Sequence, residues 1–200
     1  MSGRRAVDIL VAGIGLSLLA PPMAVIALFL LGVGGRPVFF WQVRSGLHAR
    51  RFRLVKFRTM SAACDSQGRL LPDDQRITGS GRVLRATRLD ELPQLWNVLI
   101  GDMSLIGPRP LLPETIANCG TAGWLRGRMR PGLTGWAQVN GNTLLSDADK
   151  IALDNWYIAN RSLSLDLRII GRTALVSLLG ERRDMAAIGR AHARSSHRRS

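Results

Sequence analysis

An uncharged apolar run near the N-terminus constrains this chain more than any other feature. Between Asp8 and Arg36 no charged residue occurs, and residues 9–35 are rich in Leu, Ile, Val and Ala. A helix of that length can be embedded in a lipid bilayer. The sequence therefore predicts a membrane helix within a first segment of residues 1–36.

A proline pair, Pro21-Pro22, lies near the middle of this run, and both of its flanks are basic. Prolines kink or break a helix, and the positive-inside bias favours a cytoplasmic position for both flanks. These features predict a re-entrant helix that enters the membrane, bends at the prolines and leaves on the same side. Two alternatives stay open: a kinked span with one flank outside, and a cleaved signal peptide, which Asp8 and the prolines fit poorly.

The segment after this run has the pattern of a small β-hairpin. Residues 38–43 and 52–57 are β-branched or aromatic and partly alternating, with turn chemistry at Ser45-Gly46 between them. Residues 59–81 are polar and rich in Gly, Pro and Asp, which predicts a surface loop. The functional alternative for that loop is a mobile lid over a site.

Three helices are indicated further along the chain. Pro93 is tolerated only in a first turn, so a helix begins near Asp90. Its apolar stripe comprises Leu92, Leu95, Trp96 and Leu99. Ser146 and Asp149 form a capping box for the next helix, and the last covers 165–179 with Ser164 as a candidate cap. The pattern predicts an α+β, mainly helical fold, with a small β-hairpin and amphipathic helices at the membrane interface.

Positive charge dominates the composition. The chain has 28 Lys+Arg against 14 Asp+Glu, a net charge of +14, which indicates an anionic partner: nucleic acid, an acidic membrane surface or a phosphorylated substrate. Residues 181–200 are arginine-rich and poor in apolar residues, so we predict a disordered basic tail attracted to anionic lipid. The domain organisation expected is a membrane helix (1–36), a main domain (37–180) and this tail.

An adjacent carboxylate pair, Asp90-Glu91, is surrounded in the sequence by arginines. Carboxylates can hold Mg²⁺ or attack phosphorus, and guanidinium groups can hold phosphate oxygens. The neighbouring arginines are Arg82, Arg85, Arg88 and, further on, Arg109. The alternative is an acidic helix start whose charges favour the positive end of the helix dipole.

Two further segments suit the binding of a phosphorylated ligand. Flanking prolines in Gly107-Pro108-Arg109-Pro110 restrict Arg109 to extended conformations, which lowers the entropy lost on binding phosphate. In residues 131–141 the glycines allow close backbone approach, Trp136 offers a stacking face, and Gln138 and Asn140 offer amide groups. That second segment is a candidate nucleotide pocket. An ordinary turn is the alternative in both cases.

In order along the chain, these and other motifs resemble those of the bacterial sugar transferases, the monotopic polyprenyl-phosphate phosphoglycosyl transferases of minimal type. The motifs are Lys56-Phe57-Arg58-Thr59-Met60, Leu89-Asp90-Glu91-Leu92-Pro93-Gln94-Leu95, Asn97-Val98-Leu99, Gly101-Asp102-Met103-Ser104, Gly107-Pro108-Arg109-Pro110, Arg130-Pro131-Gly132 and Gly135-Trp136-Ala137-Gln138-Val139-Asn140-Gly141. The resemblance runs from Arg4-Arg5 to about Leu179.

The resemblance implies a membrane enzyme on the cytoplasmic face of the bacterial inner (plasma) membrane. Such an enzyme moves a sugar 1-phosphate from a UDP-sugar to undecaprenyl phosphate and releases UMP, as the first membrane step of glycoconjugate assembly. It implies that Asp90 is the nucleophile of a covalent phosphosugar intermediate, that Glu91 assists, and that Mg²⁺ binds at Asp90. Phosphate and substrate contacts are then expected from Lys56, Arg85, Arg88, Arg109, Trp136, Gln138 and Asn140.

The sequence also departs from the family pattern. Many members have arginine where this chain has Asn142, proline where it has Ser45, and serine where it has Ala20 before the prolines. The competing function is a membrane-tethered basic module that binds nucleic acid or acidic polymer without catalysis. It leaves the carboxylate pair unexplained, so no nucleic-acid partner is expected. The sequence leaves the oligomeric state open.

Overall fold

The computed structural model describes residues 3–196, in which helices predominate. The helices are α1 (Gly3–Gly34), α2 (Asp73–Arg76), α3 (Gly79–Ala86), α4 (Gln94–Ile100), α5 (Pro113–Asn118), α6 (Gly120–Arg126), α7 (Trp136–Val139), α8 (Asp147–Asn160), α9 (Leu163–Leu179) and α10 (Met185–Ser196). The strands are β1 (Phe39–Ser45), β2 (Arg51–Phe57), β3 (Ser104–Ile106) and β4 (Gly132–Thr134). The mainly helical α+β prediction is confirmed.

The apolar run forms one long helix, α1, which continues through Pro21 and Pro22. At 1.5 Å per residue its 32 residues extend about 48 Å. Near its start, Asp8 accepts hydrogen bonds from the Ser104 hydroxyl and the Leu105 N–H. Near its end, Leu30 packs in a cluster with Phe57 and Leu84. Both ends of α1 therefore contact the same domain.

The outward face of α1 is apolar and exposed to solvent in the isolated chain. It includes Leu10, Ile14, Leu18, Val25, Leu28 and Phe29. By length and composition α1 is the one helix within residues 3–196 that could cross a membrane. The predicted long apolar N-terminal helix is therefore present, and its re-entrant topology stays a prediction.

β1 and β2 form the predicted hairpin, paired antiparallel from Phe39 with Phe57 to Ser45 with Arg51. α4 packs beneath it, because the Asn97 side chain bonds the backbone of β2 at Arg53 O and Val55 N. α1 and α4 share a second apolar cluster with this hairpin. The hairpin, α4 and α1 thus form one packed unit.

β3 and β4 form a short parallel pair whose glycines hold two chain segments in close contact. A Cβ atom on Gly135 would lie 1.9 Å from the carbonyl oxygen of Gly107, and one on Gly132 would lie 2.0 Å from the Gly107 nitrogen. The close approach expected of these glycines is therefore made to the backbone of the Gly-Pro-Arg-Pro segment. This contact positions Arg109.

The C-terminal helices α8, α9 and α10 pack with α7 around the largest apolar cluster. Ser146 caps α8 as predicted, accepting a hydrogen bond from Asp149 N–H. α9 begins earlier than predicted, and its cap is Ser162, not Ser164.

The prediction of a disordered tail is wrong for the described part of residues 181–200. Residues 185–196 form α10, which buries Ala187, Ile188 and Ala191 against α8. These three small or apolar residues lie on one helix face, and that face is enough to hold an otherwise arginine-rich helix on the core. Residues 197–200 lie outside the described range.

Candidate active site

Asp90 and Glu91 lie in a single 3₁₀ turn, Leu89–Glu91, which packs against β2 immediately before α4. Because α4 begins only at Gln94, the pair precedes the helix by one turn. Asp90 is 4% exposed. Burial, and next the charge of Glu91, raise the pKa of Asp90 to about 6, against the lowering effect of Lys56 and Arg85. A buried carboxyl with a raised pKa beside cations is typical of a functional site.

Arg109 reaches the pair from the Gly-Pro-Arg-Pro segment. Its guanidinium lies 3.3 Å from the Glu91 carboxylate. Its own backbone is fixed, because Arg126 donates a hydrogen bond to the Arg109 carbonyl oxygen at 2.5 Å. Arg126 is in turn paired with Asp154 at 2.6 Å, and both side chains are almost fully buried. In the sequence this buried pair is visible only as two opposite charges 28 residues apart.

Lys56 and Arg85 are the two cations whose charges act on Asp90. Lys56 lies on β2, and burial lowers its pKa although the charges of Asp90 and Glu91 raise it. Arg85 is the penultimate residue of α3 and donates from Nε to the Thr59 hydroxyl at 2.9 Å. The structure therefore brings Lys56, Arg85, Asp90, Glu91 and Arg109 into one site.

Sequence reasoning missed Arg44 at this site. It lies on β1, donates to the Pro110 carbonyl oxygen at 3.3 Å, and its pKa is lowered first by burial and then by the charge of Arg109. Arg44 lines the same small cleft as Glu91, Arg109 and Gln138. The sequence signals were one more arginine in the basic flank after the apolar run, and the place of Arg44 in Arg44-Ser45-Gly46, where many family members have Arg-Pro-Gly.

The oxygen donors of the cleft fit a magnesium ion. Among the residues described, the Gln138 side-chain oxygen is buried and has no hydrogen-bond partner, and Gln138 lines the cleft with Glu91. Within residues 3–196 no group of three or more His, Cys, Asp or Glu side chains is assembled. Magnesium characteristically uses one or two protein carboxylates and takes its remaining ligands from water and substrate phosphate, so this sparse set suits it.

Trp136 and Asn140 lie away from the surface of the site. Trp136 is 3% exposed, stacks on Trp156 and is covered by the Arg172 guanidinium at 5.5 Å. Asn140 is fully buried and bonds the Trp136 carbonyl oxygen. The predicted stacking face is thus already occupied by the protein. These two residues support the 131–141 segment, which carries Gln138 to the cleft.

Arg88 is two residues from Asp90 and has a left-handed backbone, φ 56°. Its guanidinium turns to the C-terminal part of the chain and contacts the Glu181 carboxylate at 2.5 Å. Sequence reasoning included Arg88 but missed Glu181, which lay in the segment expected to be disordered.

An apolar groove of about 600 Å³ runs between α1 and α9 up to the site. Its walls include Val11, Leu19, Leu95, Leu133, Ile170 and Val176. At one point the groove is lined by Arg88 and Glu91. The mainly apolar groove therefore borders on charged groups of the site.

The structure thus combines a mainly helical domain, a helix long and apolar enough to cross a membrane, and a carboxylate pair beside several cations. Residues 1–180 match the family described as bacterial sugar transferase, and the chain belongs to that family.

Several similar proteins have names that state a function. "Uncharacterized sugar transferase EpsL" of Bacillus subtilis is 49% identical over 162 residues, which cover 79% of this chain and 80% of that protein. "UDP-glucose:undecaprenyl-phosphate glucose-1-phosphate transferase" of Caulobacter vibrioides is 39% identical, covering 85% and 67%. "UDP-N-acetylgalactosamine-undecaprenyl-phosphate N-acetylgalactosaminephosphotransferase" of Aeromonas hydrophila is 40% identical, covering 88% of this chain and 44% of that protein.

Proposed function

We propose that this protein transfers a sugar 1-phosphate from a UDP-sugar to undecaprenyl phosphate and releases UMP. The observation that carries the proposal is the buried Asp90 beside the half-buried Glu91, with Lys56, Arg85 and Arg109 around them. Family membership supports the same reaction, because related proteins are named for undecaprenyl-phosphate sugar phosphotransfer. The product would feed the assembly of a polysaccharide or other glycan.

In the proposed chemistry an Asp90 carboxylate oxygen attacks the sugar-bearing phosphorus of the UDP-sugar. The bond from that phosphorus to the UMP oxygen breaks, UMP leaves, and the phosphosugar stays on Asp90. An oxygen of the lipid phosphate then attacks the same phosphorus and frees the carboxylate. Two displacements through a covalent intermediate replace one difficult step. Glu91 and Arg109 position each other's side chains. The cations stabilise negative charge on the phosphate oxygens.

Glu91 and the unpartnered oxygen of Gln138 line the cleft, and together with Asp90, the neighbour of Glu91, they would hold the magnesium ion. When bound, the ion would neutralise negative charge on the phosphate oxygens. Burial of Asp90 keeps water from competing with it, and the neighbouring cations favour its ionised form.

The acceptor lipid is proposed to lie in the apolar groove between α1 and α9. The groove is lined mainly by apolar side chains and also by Arg88 and Glu91, which suits an isoprenoid chain with a phosphate head. α1 is proposed to be re-entrant, on the cytoplasmic face of the inner membrane. Contacts with the same domain near both ends of α1 support this proposal, because a helix that crossed the bilayer would place its ends on opposite sides.

The test is the covalent intermediate. Protein mixed with a UDP-sugar and Mg²⁺, without lipid acceptor, should release up to about one equivalent of UMP and gain the mass of one phosphosugar. A panel of UDP-sugars identifies the donor. Asp90→Asn should abolish both signals, whereas Glu91→Gln should slow turnover and still allow some adduct. Normal acceptor-dependent UMP release with no adduct on the native protein would reassign Asp90 as a metal ligand only.

The alternative, a basic module that binds nucleic acid or acidic polymer, is not favoured. Family membership and the buried carboxylate pair point to phosphate chemistry. The alternative predicts salt-sensitive retention of nucleic acid without turnover. Mg²⁺-dependent UMP release separates the two functions.

A further inference from the structure

The carboxylate of Glu181 is held by four donors. Its Oε1 accepts hydrogen bonds from the Arg88 guanidinium at 2.5 Å and from the Asn142 side-chain amide at 2.5 Å. Its Oε2 accepts from the Thr143 N–H at 3.0 Å and from the Thr143 hydroxyl. One cation, an amide, a backbone N–H and a hydroxyl converge on a single anion, and the same set suits a phosphate group.

Electrostatics keep this carboxylate ionised. Burial by itself raises the pKa of Glu181, but hydrogen bonds from Thr143 and Asn142 and the charge of Arg88 outweigh burial and hold the pKa below its usual value. The donors therefore act as a site for a negative charge at neutral pH.

The position of these donors connects them to the groove and to the carboxylate pair. Arg88 lines the apolar groove with Glu91 and also contacts Glu181. Its left-handed backbone, φ 56°, costs free energy for a residue with a side chain, and such conformations cluster at functional positions. An anion that entered along the groove would reach the guanidinium now held by Glu181.

Glu181 lies in a short non-helical linker, residues 180–184, between α9 and α10. Gly180 begins the linker with φ 82°, and no atom lies within 4 Å of where its Cβ would be. Behind the linker α10 is anchored, because Asp184 N–H bonds the Asn140 carbonyl oxygen and Asp184 pairs with Arg172. Glu181 can therefore move away by a change at Gly180 while α10 stays docked.

We infer that Arg88, Asn142 and Thr143 form a phosphate site for the acceptor lipid, and that Glu181 occupies it as an internal competitor until the lipid phosphate displaces it. The inference rests on the proposed function and adds a regulatory contact to it. Glu181 leaves Arg88 when polyprenyl phosphate enters the groove, so the exchange of one anion for another couples acceptor binding to release of the linker.

The experiment measures KM for undecaprenyl phosphate and for the UDP-sugar in the native protein and in Glu181→Gln. Removing the competing charge should lower the acceptor KM on the order of fivefold, the size of a modest coupling between competing ligands, and leave the donor KM unchanged. Glu181→Asp, which keeps the charge but shortens the side chain, should lower it less. In an Arg88→Ala background Glu181→Gln should have no effect.

Asp184→Asn is the matched control, because it breaks the neighbouring Arg172 pair and leaves Glu181 in place. It should leave both KM values as in the native protein. A raised acceptor KM in Glu181→Gln would mean that Glu181 only positions Arg88, and a lowered donor KM would assign the site to the nucleotide sugar. An equal effect of Asp184→Asn would point to loosening of the linker. Each of these results overturns the inference.

Binding of undecaprenyl phosphate to the Asp90→Asn protein in nanodiscs gives a readout without turnover. There too Glu181→Gln should tighten binding on the order of fivefold. Absence of UMP release from the native protein would refute the proposed function, whereas an active native protein with unchanged acceptor binding in Glu181→Gln would refute the internal competitor alone.

Discussion

Replacing Asp90 by Asn should stabilise the fold at neutral pH while it removes activity. The pKa of Asp90 is raised from 3.8 to about 6, first by burial and then by the charge of Glu91. The folded protein therefore binds this proton more tightly than the unfolded chain does. The stability that this gives is complete below about pH 4 and is lost as pH rises through about 6. A difference of about two pKa units corresponds to about 3 kcal/mol.

Thermal unfolding in detergent with EDTA, at about pH 7.5 and about pH 4, measures this effect. For a chain of this size each kcal/mol moves the Tm by roughly 2–4 °C. Asp90→Asn should therefore raise the Tm by roughly 6–12 °C at the higher pH and by almost nothing at the lower pH. The gain arises because the amide carries no charge that burial penalises.

Asp65→Asn is the control with the opposite sign. The Arg69 backbone N–H bonds the Asp65 carboxylate and lowers its pKa. Its stabilising contribution is present above the unfolded pKa and is lost as the pH falls, so Asn at this position should not raise the Tm at about pH 7.5. If Asp90→Asn lowered the Tm at about pH 7.5, or raised it equally at both pH values, the buried charge of Asp90 would not destabilise the folded protein as we expect.

Three other substitutions test the contacts that position the residues of the site. Arg109→Lys should lose nearly as much UMP-release activity as Arg109→Ala, because lysine keeps the charge but not the fork geometry; full activity in the lysine variant would contradict this. Arg126→Met should destabilise the protein by about 3–5 kcal/mol in denaturant unfolding, because it leaves Asp154 buried and unpaired; an unchanged midpoint would contradict it. Gly135→Ala should impair both folding and activity, since its Cβ would lie 1.9 Å from the Gly107 carbonyl oxygen, and a native-like Tm would show that the segments can separate without cost.

Local sequence patterns predicted the secondary-structure elements that are determined by neighbouring residues. The alternation of residues 38–43 and 52–57 located both strands of the hairpin, and the Ser146 cap located the start of α8. The short helices α5 and α6, residues 113–126, were not predicted. Helices of six or seven residues are stabilised by tertiary packing, and their own sequence carries little signal.

The site residues that belong to charged sequence motifs were predicted. The residues whose position depends on burial or on contacts between distant parts of the sequence were missed. Asp90, Glu91, Arg85, Lys56 and Arg109 come together as expected. The aromatic and amide groups of Trp136 and Asn140 resembled ligand contacts, but the C-terminal helices cover them. Glu181 was missed for a related reason, since composition alone gives no sign that an arginine-rich segment folds back onto the domain.

The contacts of α1 bear on how the enzyme can be handled and how it can evolve. α1 supplies Ala12 to the cluster beneath the hairpin and Leu30 to the cluster at Phe57, and Asp8 binds Ser104. Deleting residues 3–34 to obtain a soluble fragment would remove residues from two apolar clusters of the core. It would therefore destabilise the domain as well as remove the membrane helix. Exchange for an unrelated membrane helix would fail for the same reason. In any larger protein built on this domain, added membrane spans would have to leave α1 in place.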